Sequence, residues 1–418
     1  MAQFNLKEIS ANEFTAFAEG QKIGCPLQTA GWGKVKDDAW TSMFVGLYDE
    51  ENNIHAGSMI LVRKIISGFK MAYLPRGPIF DEWCQEKISA FTAGMKTIMK
   101  NHGVTYYVID PVLIHKSSSI GQHEDEIFNL WKNPEEEFNN INEMLKKAGL
   151  KHKGFSKKLS ETIQPRINVF VPLAKDENTY LSMDELKKTF NKRTRECIGT
   201  YHEKRGISFE KVSPTPENIH ILSEFVQLTA DKKNINLRGE NYFKKICENM
   251  GEDAPIYFAY ADLSKYIDFL CAKRTDEVNE KLEKEIKELE EMKEVKGNKV
   301  ILCAMLHIFP PNKEGIRIVD YIYSGTDISL SAFRNLQIAS GLMYFTMGDC
   351  IERKCQYLNL GGIHYIGDDD LYKFKARFNS LIYEYGGEWD GVISSGKYVL
   401  ISKMLPLAKK MLSLIKHK

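Results

Sequence analysis

Apolar runs of strand length alternate with a helical period along the first third of the chain. The run after Trp40, TSMFVGLYDE, reads as a strand ending in an acidic turn. The runs AGSMILVRKI after His55 and MAYLPRGPIF after Lys70 are strands bounded by Gly and Pro. Residues 86–103 carry a helical period that stops at Gly103, and a strand starts at Val104. Residues 133–149 predict another helix. Asn133 suits its cap and Pro134 its first position, Phe138, Ile141, Met144 and Leu145 share one apolar face, and Gly149 ends it. The pattern predicts an α/β unit over residues 1–160.

A second unit, residues 161–387, starts with the apolar strand after Gln164. Helices are predicted over 182–201, 217–229, 239–250 and 331–350. Strands start at Ile256, Lys299 and Arg317, and a final short strand starts at Gln356. Three strands in each half follow the same order, and each set is followed by a helix and a strand, which reads as a weak internal duplication or as generic α/β punctuation. Residues 262–297 interrupt the second copy. Apolar residues recur there at Leu263, Ile267, Leu270, Val278, Leu282, Ile286, Leu289 and Met292, among Glu and Lys. That predicts a helical hairpin bending near residues 274–277. Its polar faces predict an arm projecting from the body, either merely solvated or touching a large partner such as an RNA.

Length and composition narrow the class. A chain of 418 residues, 43% hydrophobic and 27% charged, forms two or three globular domains. With 57 basic and 56 acidic residues the net charge is +1, which excludes a uniformly basic coat for nucleic acid. Any phosphate contact must be local. The eight cysteines form no C-x-x-C pair, so free thiols in a reducing cytosol are expected, and no structural zinc. The first residues lack a secretory pattern, and no run reaches the length of a membrane span. The run from Lys403 to the end is basic and amphipathic. It reads as a closing helix, or as a contact with anionic lipid.

The chain holds no G-x-S-x-G, H-E-x-x-H, Walker A or G-x-G-x-x-G motif. An enzyme of this kind works by positioning and electrostatics. Three segments carry unusual polarity. Gly361 and Gly362 let a backbone approach a ligand, and Lys375 beside Phe374 places a cation near developing negative charge. Arg76 lies in the rigid loop before Gly77 and Pro78, which is a plain turn or a place to meet a phosphate or carboxylate. Lys187, Lys188, Lys192, Arg193 and Arg195 crowd one helical stretch, with Lys204 and Arg205 beyond. They make a solvated face or a phosphate contact.

At these residues the sequence resembles the Fem (FemABX) peptidyltransferases, which build the interpeptide branch of bacterial peptidoglycan. The matching points run in order along nearly the whole chain. They begin with Gln28-x-x-Gly31-Trp32-Gly33-Lys34-Val35-Lys36, Pro75-Arg76-Gly77-Pro78, Asp110-Pro111 and Gln164-Pro165-Arg166. After the basic helix come Arg238-x-x-x-Tyr242-Phe243, Tyr321-x-Tyr323-x-Gly325, Leu360-Gly361-Gly362-Ile363 and Tyr372-x-Phe374-Lys375-x-x-Phe378. The resemblance implies an α/β fold of two tandem GNAT-like domains, with a helical, coiled-coil-like insertion at 262–297 and a tail, 388–418, returning to the first domain.

It also implies the reaction. An aminoacyl-tRNA would donate its amino acid to an amine on the stem peptide, or on a branch already begun, of a nucleotide-linked (UDP-MurNAc-pentapeptide) or lipid-linked precursor. By that match Lys375, with its neighbour Phe374, is the catalytic pair, Lys375 stabilising the carbonyl oxygen. Asp110 is a candidate proton acceptor, and substrate groups or the tRNA ribose are the alternatives. Lys36, Arg76, Arg238, Tyr242, Tyr323, Gly361 and Gly362 would hold the precursor. Lys187, Lys188, Lys192, Arg193 and Arg195 would meet the tRNA. No metal and no cofactor beyond the aminoacyl-tRNA is implied. The setting would be the cytoplasm, with peripheral contact at the inner membrane face. Two rival readings stand beside this one. An acyl-CoA N-acyltransferase would need a pyrophosphate loop, for which Gln337 and Gly341 are misplaced. A non-catalytic tRNA- or precursor-binding homologue would keep the fold alone.

Overall fold

The computed structural model describes residues 4–120, 128–327, 329–364 and 370–404. In chain order the strands are β1 (Asn5–Ile9), β2 (Thr41–Tyr48), β3 (Ile54–Ile66), β4 (Phe69–Leu74), β5 (Ile79–Phe80), β6 (Val104–Ile109), β7 (Ile114–Ile120) and β8 (Lys151–His152). They continue with β9 (Ile167–Pro172), β10 (Ile207–Val212), β11 (Ile256–Asp262), β12 (Lys299–Ile308), β13 (Ile318–Thr326), β14 (Tyr357–Gly362), β15 (Ser380–Tyr385) and β16 (Trp389–Val392). One sheet runs β1-β2-β3-β4-β6-β16-β8, with β5 against β3. The other runs β10-β11-β12-β13-β14-β9-β15-β7.

The expected duplication is explicit in this order. Both sheets begin with four antiparallel strands and then a parallel pair, β4 with β6 and β13 with β14. A helix crosses over within each pair, Gln85–Asn101 in the first and Ile338–Glu352 in the second. Strands buried on both faces read as continuous apolar runs, as in β9 and β12, because helices or the other sheet cover both sides. One core joins the halves. Phe14, Trp32 and Met59 from the first pack with Leu222, Phe243, Phe258 and Leu306 from the second.

The halves are also cross-stitched. β7, inside the span read as the first unit, pairs with β15 in the second sheet. β16, near the end of the described chain, lies between β6 and β8 in the first sheet. There Trp389 is buried and donates to Asn142 Oδ1 at 2.9 Å. The strand at Gln356 is therefore not the last. The chain crosses at the Gly386-Gly387 turn to deliver one strand to each sheet.

Several local expectations are corrected. Asn133 precedes the Pro134–Lys147 helix but makes no capping hydrogen bond. The helix read over 182–201 is three short ones, Met183–Thr189, Lys192–Glu196 and Thr200–Glu203. It breaks because Phe190 is extended into the core and Asn191 starts a new turn, its side chain accepting from Thr194 N at 2.8 Å.

The 262–297 insertion is a hairpin of helices Leu263–Cys271 and Glu280–Lys296, clamped at its bend by Arg274 bidentate to Glu283 at 2.6 and 2.7 Å. It does not project. Ile286 and Leu289 are buried in a second core, which includes Val169, Val171, Leu302 and Leu358 of the second sheet, and Glu288 accepts from Ser331 N and Oγ. The acidic stretch 365–369, between the Gly361–Gly362 and Lys375 motifs in sequence, and the end of the basic run, 405–418, lie outside the described residues. Among the described residues no helix is long and apolar enough to cross a membrane.

Candidate functional site

The parallel strands β13 and β14 pair only from Ile318 to Asp320, against Tyr357 to Asn359, and then separate. Gly361 and Gly362 line the notch this opens. Gly361 takes φ +79°, which L side chains avoid. A Cβ on Gly362 would come within 2.3 Å of Pro165. Lys375, only 2% exposed, donates from Nζ to Gly362 O at 2.7 Å. A Cβ on Gly361 would lie 3.7 Å from the same ammonium. The buried lysine is thus aimed at the glycine turn. Phe374 takes a different place. It packs edge-on against Phe378, 5.5 Å between centroids, as part of the second core.

Arg76 and Asp110 form an internal brace beside the notch. Arg76 has φ +55°, a strained setting held by its partners. Its N–H donates to Asp110 Oδ1 at 2.6 Å and its Nη2 to Pro165 O at 2.6 Å, while its guanidinium stacks 3.8 Å from the Tyr385 ring centre. Tyr73 donates to the other oxygen of Asp110 at 2.9 Å. Burial raises the Asp110 carboxyl to about 7 against the pull of Arg76. At 2% exposure, with both oxygens occupied, Asp110 is braced inside the protein and offers no open edge to an amine. The geometry makes it a poor proton acceptor for a bound substrate.

Lys36, Arg238, Tyr242 and Tyr323 come together from both halves. Thr29 caps the Ala30–Val35 helix that carries Lys36 to its place. Gly31 lets that helix approach the carbonyl of Asn249, where a Cβ would stand at 2.4 Å. Buried Gln28 fixes the base of the segment, bonded to Met59 and to Pro75 O. Lys36 Nζ donates to Tyr242 OH at 2.5 Å and sits 4.2 Å over the Trp32 ring. Arg238 lies 5.2 Å over Tyr242, which meets Tyr323 edge-on at 6.2 Å. Burial, with Arg238 beside it, lowers Lys36 to about 8. Among the described residues neither cation is ion-paired with a carboxylate. Two unneutralised cations with phenolic donors make a site for an anion.

In the basic segment Lys188, Lys192, Arg193 and Arg195 are exposed, whereas Lys187 is half-buried and donates to Ile198 O. Arg377 joins this surface. Burial and the nearby Arg193 lower its pKa. All eight cysteines are free thiols, and among the described residues no cluster of His, Cys, Asp and Glu is placed to hold a metal ion.

A sequence profile of the FemAB family matches residues 9–280 and 271–405. The chain belongs to the FemAB family. Aminoacyltransferase FemA of Staphylococcus aureus (strain MRSA252) is 25% identical over 282 residues, covering 66% of this chain and 61% of FemA. Lipid II:glycine glycyltransferase of the same strain is 26% identical over 278 residues, covering 65% of this chain and 58% of that protein. The match thus spans about three fifths of the length of these curated relatives. The crystal structure of FemX aligns over 95% of this chain and 99% of its own, with a TM-score of 0.75 at 21% identity, which bears on the fold.

In this FemAB chain the motif residues fall into two clusters, the notch with Lys375 and the cationic site with Lys36. The sequence reading assigns no role to Asp320, which sits at the vertex of the notch. A signal for it exists: one acid in the otherwise apolar and aromatic run Ile318-VDYIYSG. Asn359, which holds that acid, reads in the sequence as an ordinary strand residue.

Proposed function

We propose that this protein is a non-ribosomal aminoacyltransferase of peptidoglycan branch synthesis. It moves an amino acid from an aminoacyl-tRNA to an amine of a precursor's stem peptide. The observation that carries the reading is the buried Lys375 ammonium aimed at the Gly361–Gly362 turn, together with a two-cation site built from both halves, whose Tyr323 lies on β13, the strand beside that turn. Aminolysis of an ester needs no covalent intermediate. It needs the amine held against the carbonyl and a cation where charge develops on oxygen. Lys375 supplies the cation. Lys36 and Arg238, with Tyr242 and Tyr323, hold the precursor's diphosphate. Arg76 and Asp110 position the turn through Pro165, and the aminoacyl-tRNA is the one co-substrate.

The first domain, through residue 160 and with the returning tail, then serves the acceptor. The second, residues 161–387, carries the transfer. The name of one staphylococcal relative, lipid II:glycine glycyltransferase, favours a lipid-linked acceptor, which would bring the protein to the inner membrane face from the cytoplasm. The exposed basic residues from Lys188 to Arg195 meet the tRNA. The helical hairpin does not, since residues 262–297 carry more acidic than basic side chains. The deciding experiment supplies charged tRNA with UDP-MurNAc-pentapeptide and, separately, its lipid-linked form. A mass gain of one amino-acid residue on either acceptor supports the reading. No gain on either, or on an acceptor already bearing a branch residue, ends it.

A further inference from the structure

The notch has a carboxylate at its vertex. Asp320 faces Asn359 in the last pair before β13 and β14 separate. Asn359 links the two sides: its Nδ2 donates to Asp320 Oδ1 at 2.8 Å, and its Oδ1 accepts from Gly361 N at 2.9 Å. Gly361 in turn lies under the Lys375 ammonium. Asp320 is half-buried, and among the described residues its second oxygen has no hydrogen-bond or ion-pair partner. Asp110 differs, because both of its oxygens are taken.

The titratable groups around Asp320 are few. Arg76 acts on its charge without pairing to it, and Cys25 and Tyr385 lie within electrostatic reach. Lys375 stands across Gly361. Burial raises the Asp320 carboxyl to about 6, with Asn359 and Arg76 pulling it back. Near neutral pH it is therefore ionised but more basic than an exposed aspartate.

We propose that Asp320 receives the acceptor's primary ammonium at the vertex of the notch and takes its proton. This rests on the aminoacyltransferase reading. The uncharged amine then attacks the ester carbonyl, whose oxygen faces Lys375. The C–N bond forms and the ester C–O bond breaks. The ammonium gives up two protons in all. One ends on the departing ribose oxygen and the other passes to water, so Asp320 returns to its carboxylate. The arrangement ties the proton acceptor and the oxyanion donor to one glycine turn, Asp320 through Asn359 and Lys375 through Gly362 O, and general-base aminolysis uses both groups.

The test compares wild type, Asp320→Asn, Asp320→Glu and Lys375→Ala in the transfer assay across pH 5–9. Binding of the acceptor and of its N-acetylated form is measured alongside. Asp320→Asn is expected to lower kcat/KM by about 100-fold or more, and Asp320→Glu to restore part of it. The wild-type fall in kcat/KM below about pH 6 should vanish in Asp320→Asn. Wild type should bind the acceptor with its amine more tightly than the acetylated one, and Asp320→Asn should bind the two alike. An Asp320→Asn enzyme within about threefold of wild type, with the acid limb unchanged, overturns the proposal while leaving the aminoacyltransferase reading intact. If wild type transfers to no acceptor, that reading falls and this one with it. Should Asp320→Asn fail to fold, the wild-type binding comparison decides, and equal affinity for the two acceptors overturns the proposal.

Discussion

The Lys375 ammonium rests 2.7 Å from the carbonyl oxygen of Gly362, on a glycine that has no room for a side chain beside Pro165. The backbone carbonyl fixes where the cation points before any substrate arrives, and such preorganisation is what an oxyanion donor needs. Lys375→Ala should lower turnover by about 10- to 1000-fold, the range for losing one such donor. The melting temperature should fall only modestly, since the hydrogen bond to Gly362 is worth about 1–3 kcal/mol. Single-turnover transfer with saturating substrates checks this. Unchanged transfer in the variant removes Lys375 from the chemistry.

Lys36 is a cation at the edge of neutrality, because burial and Arg238 bring it to about 8. In the unliganded protein its charge is present below that pH and lost above it. Affinity for a nucleotide-linked precursor should therefore weaken as pH rises through about 8, with bound diphosphate pushing the transition higher. Lys36→Met should lower affinity by about 10- to 100-fold at pH 7, the worth of one charge-assisted hydrogen bond, and should flatten the pH dependence. Titration calorimetry at pH 6.5, 7.5 and 9 reads both effects.

His307 is fully buried, and neither ring nitrogen has a hydrogen-bond partner among the described residues. It packs edge-on to Tyr257 and Tyr321. Burial lowers its pKa to about 3, and burial also brings His202 to about 4. A base with a depressed folded pKa stabilises the fold above its unfolded value, near 6.5, and that stability is lost as pH falls. At pH 5 each histidine should cost about 2 kcal/mol relative to pH 7. Asp110 and Asp320, whose carboxyls are raised, act in the opposite direction across the same window. His307→Leu should therefore melt with a flatter dependence on pH between 7 and 5. A slope equal to wild type would show that His307 does not titrate on unfolding.

The sequence made much of this architecture legible, but unevenly. Strands β2, β3, β4, β11, β12 and β13 are readable because each carries its own apolar run and its own Gly, Pro or acidic stop. The exchange of β7 and β16 between sheets is not. Pairing partners far apart in sequence leave no local trace, and the register is set by the other strand. The three-way break in 182–201 is hidden because Phe190 fits a helical period while its side chain is claimed by the core. Lys36, Arg238, Tyr242 and Tyr323 are found through motif resemblance, and only the folded chain shows that the first, from one half, meets the rest, from the other. Asp320 escapes notice in the sequence because its significance depends on where β13 and β14 part.

The exposed cations at Lys188, Lys192, Arg193 and Arg195 sit on short helices, with Arg377 at their edge. Charge reversal at Lys192 and Arg195 should weaken tRNA binding about tenfold or more at low salt. It should also reduce the slope of log affinity against log salt by roughly 0.7–0.9 for each phosphate that is no longer neutralised. Filter binding at two or three salt concentrations separates this from a general loss of fold. Equal slopes for variant and wild type would make this surface a solvated face.

The tip between β3 and β4 and the Ser395–Val399 helix form one surface, with Lys397 Nζ 3.5 Å from Gly68 O and 5.7 Å over the Phe69 ring. Ile66, Val399 and Leu400 are 40%, 45% and 39% exposed there. Exposed Arg63, Lys64 and Lys70 surround them, and Lys245 occupies the neighbouring carboxylates of Asp37 and Asp38. Arg63 stacks 4.4 Å over Trp40, whose N–H donates to Lys36 O, so this surface adjoins the cationic site. A lipid-linked acceptor held at Lys36 would set this patch against the bilayer, where each basic residue near an anionic surface contributes about 1 kcal/mol. Wild type should sediment with phosphatidylglycerol vesicles and not with phosphatidylcholine vesicles. Replacing Lys64 and Lys70 with Glu should release it by about tenfold or more, without changing transfer to the nucleotide-linked precursor. Equal sedimentation of that variant would place the membrane contact elsewhere on the molecule.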